Sequence, residues 1–164
     1  MKTAKKKIKK KWICFYCHRI NEAGKMKCIY CGERKVGDLK KLEGDLDRIF
    51  SKFIRLRDNY ICVTCAKAGN DAGHFKKRSH RSTRWDEKNV NCQCTSCNTY
   101  RGGNLIEYTI YLQNKFGYEI IVELNEKAKD VFKPTRVWLL EQIEIYKKKL
   151  KEMPDDFKMA QKAL

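Results

Sequence analysis

Eight of the nine cysteines in this 164-residue chain fall into four pairs with two residues between the partners: Cys14/Cys17, Cys28/Cys31, Cys62/Cys65 and Cys94/Cys97. That spacing lets two thiolates point at one ion from a tight turn, and two such pairs complete the tetrahedron that a structural Zn²⁺ prefers. Four pairs therefore predict two zinc sites. Disulfides are the alternative, but the chain shows no export signal, so a reducing, intracellular setting is expected in which thiols stay free for metal. The first two pairs sit in a segment of about 30 residues, below the ~40-residue size at which an apolar core alone usually suffices. Metal must stand in for that core. Cys92 lacks the paired spacing and is expected to remain a free thiol.

Charge narrows the partners. The 37 Lys+Arg outnumber 20 Asp+Glu, giving a formal net charge of +17. Nucleic acid offers such a chain the densest line of negative charge, although solubility alone is the bland alternative. With 42% apolar residues the chain can bury a modest core, so a wholly disordered tail does not fit. No stretch approaches the roughly 20 apolar residues that span a bilayer, and no membrane partner is expected.

The chain divides by composition. Residues 1–11 hold seven lysines and read as a basic flexible arm, 12–35 as a four-cysteine finger, and 36–44 as a linker. Residues 45–153 read as a second domain, with 154–164 as a tail. In that domain Leu46, Ile49, Phe50, Phe53, Ile54 and Leu56 recur mostly at spacings of three and four, which predicts an amphipathic helix. Residues 60–103 suit a hairpin and loops clamped by metal. Helical spacing returns in Leu105, Ile106, Thr109, Leu112 and Phe116, then after Gly117 in Ile120, Ile121, Leu124 and Ala128. Pro134 is expected to open a last helix with a buried stripe of Val137, Leu140, Ile143, Tyr146 and Leu150.

The order Trp12, Cys14, Cys17, Asn21, Cys28, Cys31 resembles the short tryptophan-containing zinc fingers of the Ran-binding-protein type. That resemblance implies a ligand of single-stranded RNA or ubiquitin, and His18-Arg19 does not match the Thr-Phe pair of the ubiquitin binders. Nucleic acid is therefore the expected ligand, with single-stranded DNA, duplex DNA and RNA all left open. Arg19, Lys25, Lys27 and Arg34 would meet phosphates while Phe15, Tyr16 or Tyr30 stacks on bases. A purely structural finger, its aromatics packing its own small body, is the alternative.

The second cysteine frame encloses Asp71-Ala72-Gly73-His74-Phe75, then Trp85-Asp86-Glu87-Lys88-Asn89, then Cys94-Thr95-Ser96-Cys97-Asn98. His, Asn and Asn in that order inside four cysteines resemble an HNH nuclease. In that design a strand histidine deprotonates water, a mid-loop asparagine orients it, and a helix residue shares one divalent ion with an acid. Each residue alone is weak evidence: Asn89 can instead stabilise its turn, and Asn98 can merely cap a helix. The fold expected is a small, zinc-stabilised α+β chain, an N-terminal finger followed by a ββα-metal core embedded in helices.

The runs Asp71–His74, Arg84–Asn89 and Gln93–Asn98, leading to Gly103-Asn104-Leu105 and Tyr108, are similar to the bacteriophage NinG/Rap recombination endonucleases. The resemblance extends from about Leu46 to Leu150. It implies a metal-dependent endonuclease that hydrolyses branched DNA, including Holliday junctions and displacement loops, in the host cytoplasm. Carried over by residue, His74 would be the general base and Asn89 its orienting partner. Asp71 and Asn98 would hold one Mg²⁺ or Mn²⁺ beside the two structural Zn²⁺. Many HNH motifs place Asp immediately before the base, whereas Gly73 stands here, so Asp86 or a water could take part of the metal shell.

Lys76, Lys77, Arg78, His80, Arg81 and Arg84 follow the presumed base without an acid among them, and Arg101 follows the last cysteine pair. They are expected to grip phosphates, with a solvated loop as the alternative. Arg55 and Arg57 could extend that surface. A two-fold homodimer would suit a four-way junction, using helices 105–116 and 135–150. The competing function is a noncatalytic, zinc-stabilised nucleic-acid adaptor in recombination, in which His74 and the asparagines only build structure.

Overall fold

A computed structural model describes residues 11–14, 17–22, 24–25, 27–32 and 39–154. The arm at 1–10, Phe15, Tyr16, Arg34, positions 33–38 of the finger's end and linker, and the tail from 155 lie outside the described residues. The chain parts into two compact units, Met1–Lys41 and Leu42–Leu164.

In the first unit strand β1, Trp12–Ile13, pairs antiparallel with β2, Ile20–Asn21, placing Trp12 opposite Asn21 and Ile13 opposite Ile20. Alternation along such short strands sends Trp12 and Asn21 inward and leaves Ile13 and Ile20 exposed. The buried cluster is Trp12, Cys14 and Cys28, with Cys17 packed against it. Among the described residues, one indole, the Asn21 amide and cysteine sulfurs make up this small interior.

Helix α1, Leu39–Arg57, buries Leu42, Leu46, Phe50, Phe53, Ile54 and Leu56, the face its spacing predicts. Strands β3, Asp71–His74, and β4, Val90–Gln93, form an antiparallel hairpin with Asp71 opposite Gln93 and His74 opposite Val90. Every side chain of β4 is buried, Asn91 and Gln93 included. Burial of those amides requires partners. Arg57 donates to Asn91 Oδ1 at 2.7 Å and to the Val90 carbonyl at 3.1 Å, while Asn91 Nδ2 reaches Tyr108 Oη at 3.1 Å. Arg57, expected on the DNA surface, is thus a half-buried clamp between α1 and β4.

A five-residue π-helical turn, Ser96–Tyr100, follows β4 and leads to α2, Leu105–Phe116, α3, Ile120–Lys129, and α4, Arg136–Glu152. Tyr108, Leu112, Ile120 and Leu124 form the core between α2 and α3, and Val63 and Phe75 pack against it. Tyr108 Oη donates to the Gly73 carbonyl at 2.9 Å and lies 3.3 Å from that of Asn89, fixing α2 to both hairpin strands.

Two expected faces shift. On α2, Leu105 and Ile106 are exposed and Tyr108 with Leu112 faces inward, because the phenol must reach the hairpin carbonyls. On α4, Val137 is exposed and the inward stripe is Leu139, Ile143 and Tyr146. Its phase is set by Thr135, whose hydroxyl accepts from the Trp138 N–H at 3.2 Å, so the helix opens at Arg136 rather than at Pro134. The protein is a small α+β fold with two cysteine clusters, and no described helix is long and apolar enough to cross a membrane.

Candidate functional site

Both expected cysteine tetrads assemble. The sulfurs of Cys14, Cys17, Cys28 and Cys31 all lie within 4.8 Å of one another, as do those of Cys62, Cys65, Cys94 and Cys97. All four turns close with the same backbone bond, from the N–H just after the second cysteine to the carbonyl of the first. It joins His18 to Cys14, Gly32 to Cys28, Ala66 to Cys62 and Asn98 to Cys94, at 2.8–2.9 Å. Three of these closing residues, His18, Gly32 and Ala66, take positive φ of 56–74°. Two non-glycine residues in left-handed conformation mark turns held by something stronger than local preference.

Electrostatics favours a cation at both tetrads. Burial works against the Cys28 thiolate, but backbone N–H groups at Cys31 and Tyr30 and the Asn21 amide outweigh it and bring the thiol down to about 6. Cys62 is likewise brought to about 6 against burial, chiefly by the Thr64 hydroxyl and backbone. At Cys65 a backbone bond from Lys67 favours ionisation, yet burial and the sulfurs of Cys62, Cys97 and Cys94 push it up to about 12. Four thiolates cannot ionise together unless a positive ion joins them, and Zn²⁺ takes four sulfurs tetrahedrally. The residues fit zinc at both places. Cys92 stays outside the second tetrad, buried, with burial raising its thiol to about 12.

A cleft of about 660 Å³ lies beside the hairpin, walled by His74, Asp47, Arg78, Arg84, Lys77 and Asn98, with Arg48 and the Gly102-Gly103 backbone at its edge. His74 ends β3 and is half-buried there. Its Nε2 lies 3.0 Å from the Arg84 carbonyl. A carbonyl only accepts, so Nε2 carries the hydrogen and Nδ1 keeps the lone pair of the neutral ring. Burial lowers the His74 pKa from its ordinary 6.5, with Arg78 adding to the effect while the Arg84 and Ala72 backbone and Asp47 oppose it. The imidazole is therefore neutral and basic at pH 7.

The other expected residues separate into groups. Asn89 is fully buried: its Oδ1 accepts from the Lys76 N–H at 2.7 Å, and its Nδ2 donates to the carbonyls of Lys76 and Thr83 at 3.0 and 2.9 Å. It staples the loop after His74 rather than touching the ring, and the Arg84 carbonyl takes the orienting position. Asn98, on the π-turn, donates to Asp71 Oδ2 at 3.2 Å and lines the cleft, while Asp71 does not. Alternation along β3 puts Ala72 and His74 on the cleft side and Asp71 on the other.

The basic loop is less free than its sequence suggests. Arg84, only 14% exposed, binds Asp47 through Nε at 3.0 Å and through a second nitrogen, and reaches Glu43 at 3.7 Å. Arg78 binds Asp47 and Arg81 binds Glu43. Glu43 and Asp47, one turn apart on α1, hold this loop against the helix, and the Trp85 indole N–H adds a 2.9 Å bond to Asp47. Burial alone would raise Asp47, but the Arg84 and Arg78 guanidiniums hold it below the usual carboxylate range. His80 Nδ1 contacts the Ala128 carbonyl at 3.1 Å, and Lys76 lies over the Phe75 ring. Lys77, Arg101, Lys25 and Lys27 are exposed, as is Arg19, whose guanidinium stacks on Tyr30 at 4.9 Å.

The sequence reading missed Glu43, Asp47, Gln93 and Tyr108 as builders of this site. Two acids at helical spacing beside the apolar face of α1 were the available signal for the first pair. Gln93 explains Gly73: a Cβ there would stand 2.1 Å from Gln93 Oε1, and Gln93 is pinned by its 2.8 Å bond to the Gly103 carbonyl. A side chain immediately before His74 would force Gln93 to move.

Comparison with known proteins places the chain among phage proteins. The family described as Bacteriophage Lambda NinG protein matches residues 29–156. Protein ninG of Escherichia phage 933W is 38% identical over 77 residues, covering 44% of this chain and 38% of its own. Protein ninG of Salmonella phage P22 is 31% identical over 112 residues, 63% of this chain and 53% of its own, and that of Escherichia phage lambda is 30% identical over 110, covering 62% and 52%. The matches thus span about half or less of these relatives' lengths. No solved structure matches. With the family match covering most of its length, including both β3 and the second cysteine tetrad, this chain belongs to the NinG family of bacteriophage lambda.

Proposed function

We propose that the chain is a metal-dependent endonuclease of the HNH type that hydrolyses phosphodiesters in branched DNA during phage recombination. One observation carries the reading: a neutral histidine, its Nε2–H tied to a backbone carbonyl, lines a cleft whose walls include Arg48, Lys77, Arg78 and Arg84. A cleft lined by cations and floored by a base suits a phosphate and an attacking water.

In this mechanism His74 Nδ1 takes a proton from water, the water oxygen bonds to phosphorus, and the P–O bond to the leaving oxygen breaks. That oxygen is then protonated from solvent. Lys77 and the outer guanidinium of Arg78, 59% exposed, are placed to neutralise the phosphate, whereas buried Arg84 positions the loop and its own carbonyl. Asn98, at the cleft wall, would offer Oδ1 to Mg²⁺ or Mn²⁺, which keeps several waters, while the Asp71 carboxylate, outside the cleft lining, would act through its 3.2 Å bond to the Asn98 amide. An ion held there would stabilise charge on the phosphate and leaving oxygen.

The complete internal use of Asn89 favours a second reading, a noncatalytic adaptor in which the frame only builds a binding surface. Cleavage of Holliday junctions, forks, displacement loops and linear duplex, with and without Mg²⁺ or Mn²⁺, separates the two. His74→Ala should lose at least ~100-fold in rate with junction binding unchanged. Because the free base is the active form, the rate should rise with pH and reach half its plateau below pH 6.5. Binding without hydrolysis by any divalent ion would leave the adaptor.

A further inference from the structure

Arg84 lines the His74 cleft, and the next residue, Trp85, lines a second cavity of about 370 Å³. Pockets that take small organic groups span ~300–1,000 Å³. Three aromatic rings wall this one: Trp138 stands 5.5 Å from Trp85 and 4.9 Å from Phe132. The pairs are inclined at 51° and 73°, so no two of the rings stack face to face, and the Arg84 guanidinium lies 4.8 Å over the Trp85 ring. Ser82 also lines the cavity, and its Oγ is buried without a hydrogen-bond partner. A buried hydroxyl left unpaired is costly and points to a missing polar partner. Lys127 and Arg81 stand at the rim, 44% exposed each, in surface ion pairs weak enough to exchange.

We propose that this cavity receives one unpaired nucleobase of the strand whose neighbouring phosphate lies in the His74 cleft. The inference rests on that cleft holding nucleic acid. A base offers what the cavity asks for: a flat π face for the indoles and polar edge atoms for Ser82 Oγ, with flanking phosphates for Lys127 and Arg81. A paired base presents neither its faces nor its hydrogen-bonding edge, so duplex DNA cannot fill the cavity without unstacking. Branch points, forks and displaced strands supply unpaired bases at no such cost. The cavity is therefore a source of structure selectivity that needs no sequence readout.

Forked DNA carrying 2-aminopurine at an unpaired position beside the branch tests this by fluorescence, using the full chain with no divalent ion added. Stacking against the indoles should quench the probe. Trp138→Leu and, as a milder change, Phe132→Leu should restore its emission and weaken fork binding by roughly tenfold while blunt-duplex binding stays within about twofold. Zinc content and far-ultraviolet circular dichroism identify a variant that has failed to fold, and the other variant then decides. Absence of quenching, or quenching that survives both substitutions, would overturn the proposal. Quenching without hydrolysis under Mg²⁺ or Mn²⁺ would keep the base cavity and remove the nuclease reading; hydrolysis without quenching would do the reverse.

Discussion

The two cysteine tetrads close their turns with the same backbone bond, yet they stand in opposite surroundings. Around the first, the described interior is Trp12, Asn21 and cysteine sulfurs, and Ile13, Ile20, Ile29 and Tyr30 face outward. The second sits at the base of a hairpin covered by α1, α2 and α3, with Tyr108, Leu112, Ile120 and Leu124 packed into one core. A zinc ion held by the tetrads would be the core of the finger and only a staple in the larger unit. The difference is one of size: a segment of about 30 residues cannot remove enough apolar surface from water, and a unit of a hundred or more can.

Zinc removal should show this contrast at its largest. Structural zinc contributes roughly 10–16 kcal/mol apparent in finger peptides. Chelation should therefore abolish dispersed backbone signals of residues 12–32 while helical signals of α1 to α4 persist, as read by nuclear magnetic resonance. Equal loss in both units would erase the distinction. Asn89→Ala probes the larger unit with its metal in place. It removes three buried hydrogen bonds to the loop at Lys76 and Thr83 and should cost about 3 kcal/mol in denaturant unfolding, with both zinc ions retained. A cost under about 1 kcal/mol would mean that the loop is held elsewhere, by Glu43 and Asp47. The smallest effect is expected from Cys92→Ser, which should leave two zinc ions per chain and change stability by no more than about 1–2 kcal/mol. Loss of an ion would make Cys92 a ligand and break the pairing of the tetrads.

The tetrads were legible because two-residue spacing is a local geometric statement, complete within each turn. The inward face of α1 was legible too, since six apolar residues outvote any tertiary exception. The phases of α2 and α4 were not. Each is set by a single distant or capping contact, the Tyr108 hydroxyl on Gly73 and the Thr135 hydroxyl on Trp138, which hydrophobic spacing cannot weigh. At the candidate site His74 stood out by its frame. The internal engagement of Arg78, Arg81 and Arg84 was hidden because their carboxylates lie 31 to 41 positions earlier, on another element.

The close approach of Gln93 to Gly73 has an evolutionary reading. An aspartate next to His74 would force Gln93 to shift, because its first carbon would stand 2.1 Å from an amide that is itself anchored to Gly103. Shortening position 93 first would open the space but strip the hairpin of that anchor. The two positions are coupled, and an acidic neighbour for His74 would come only with a rearranged or shortened position 93.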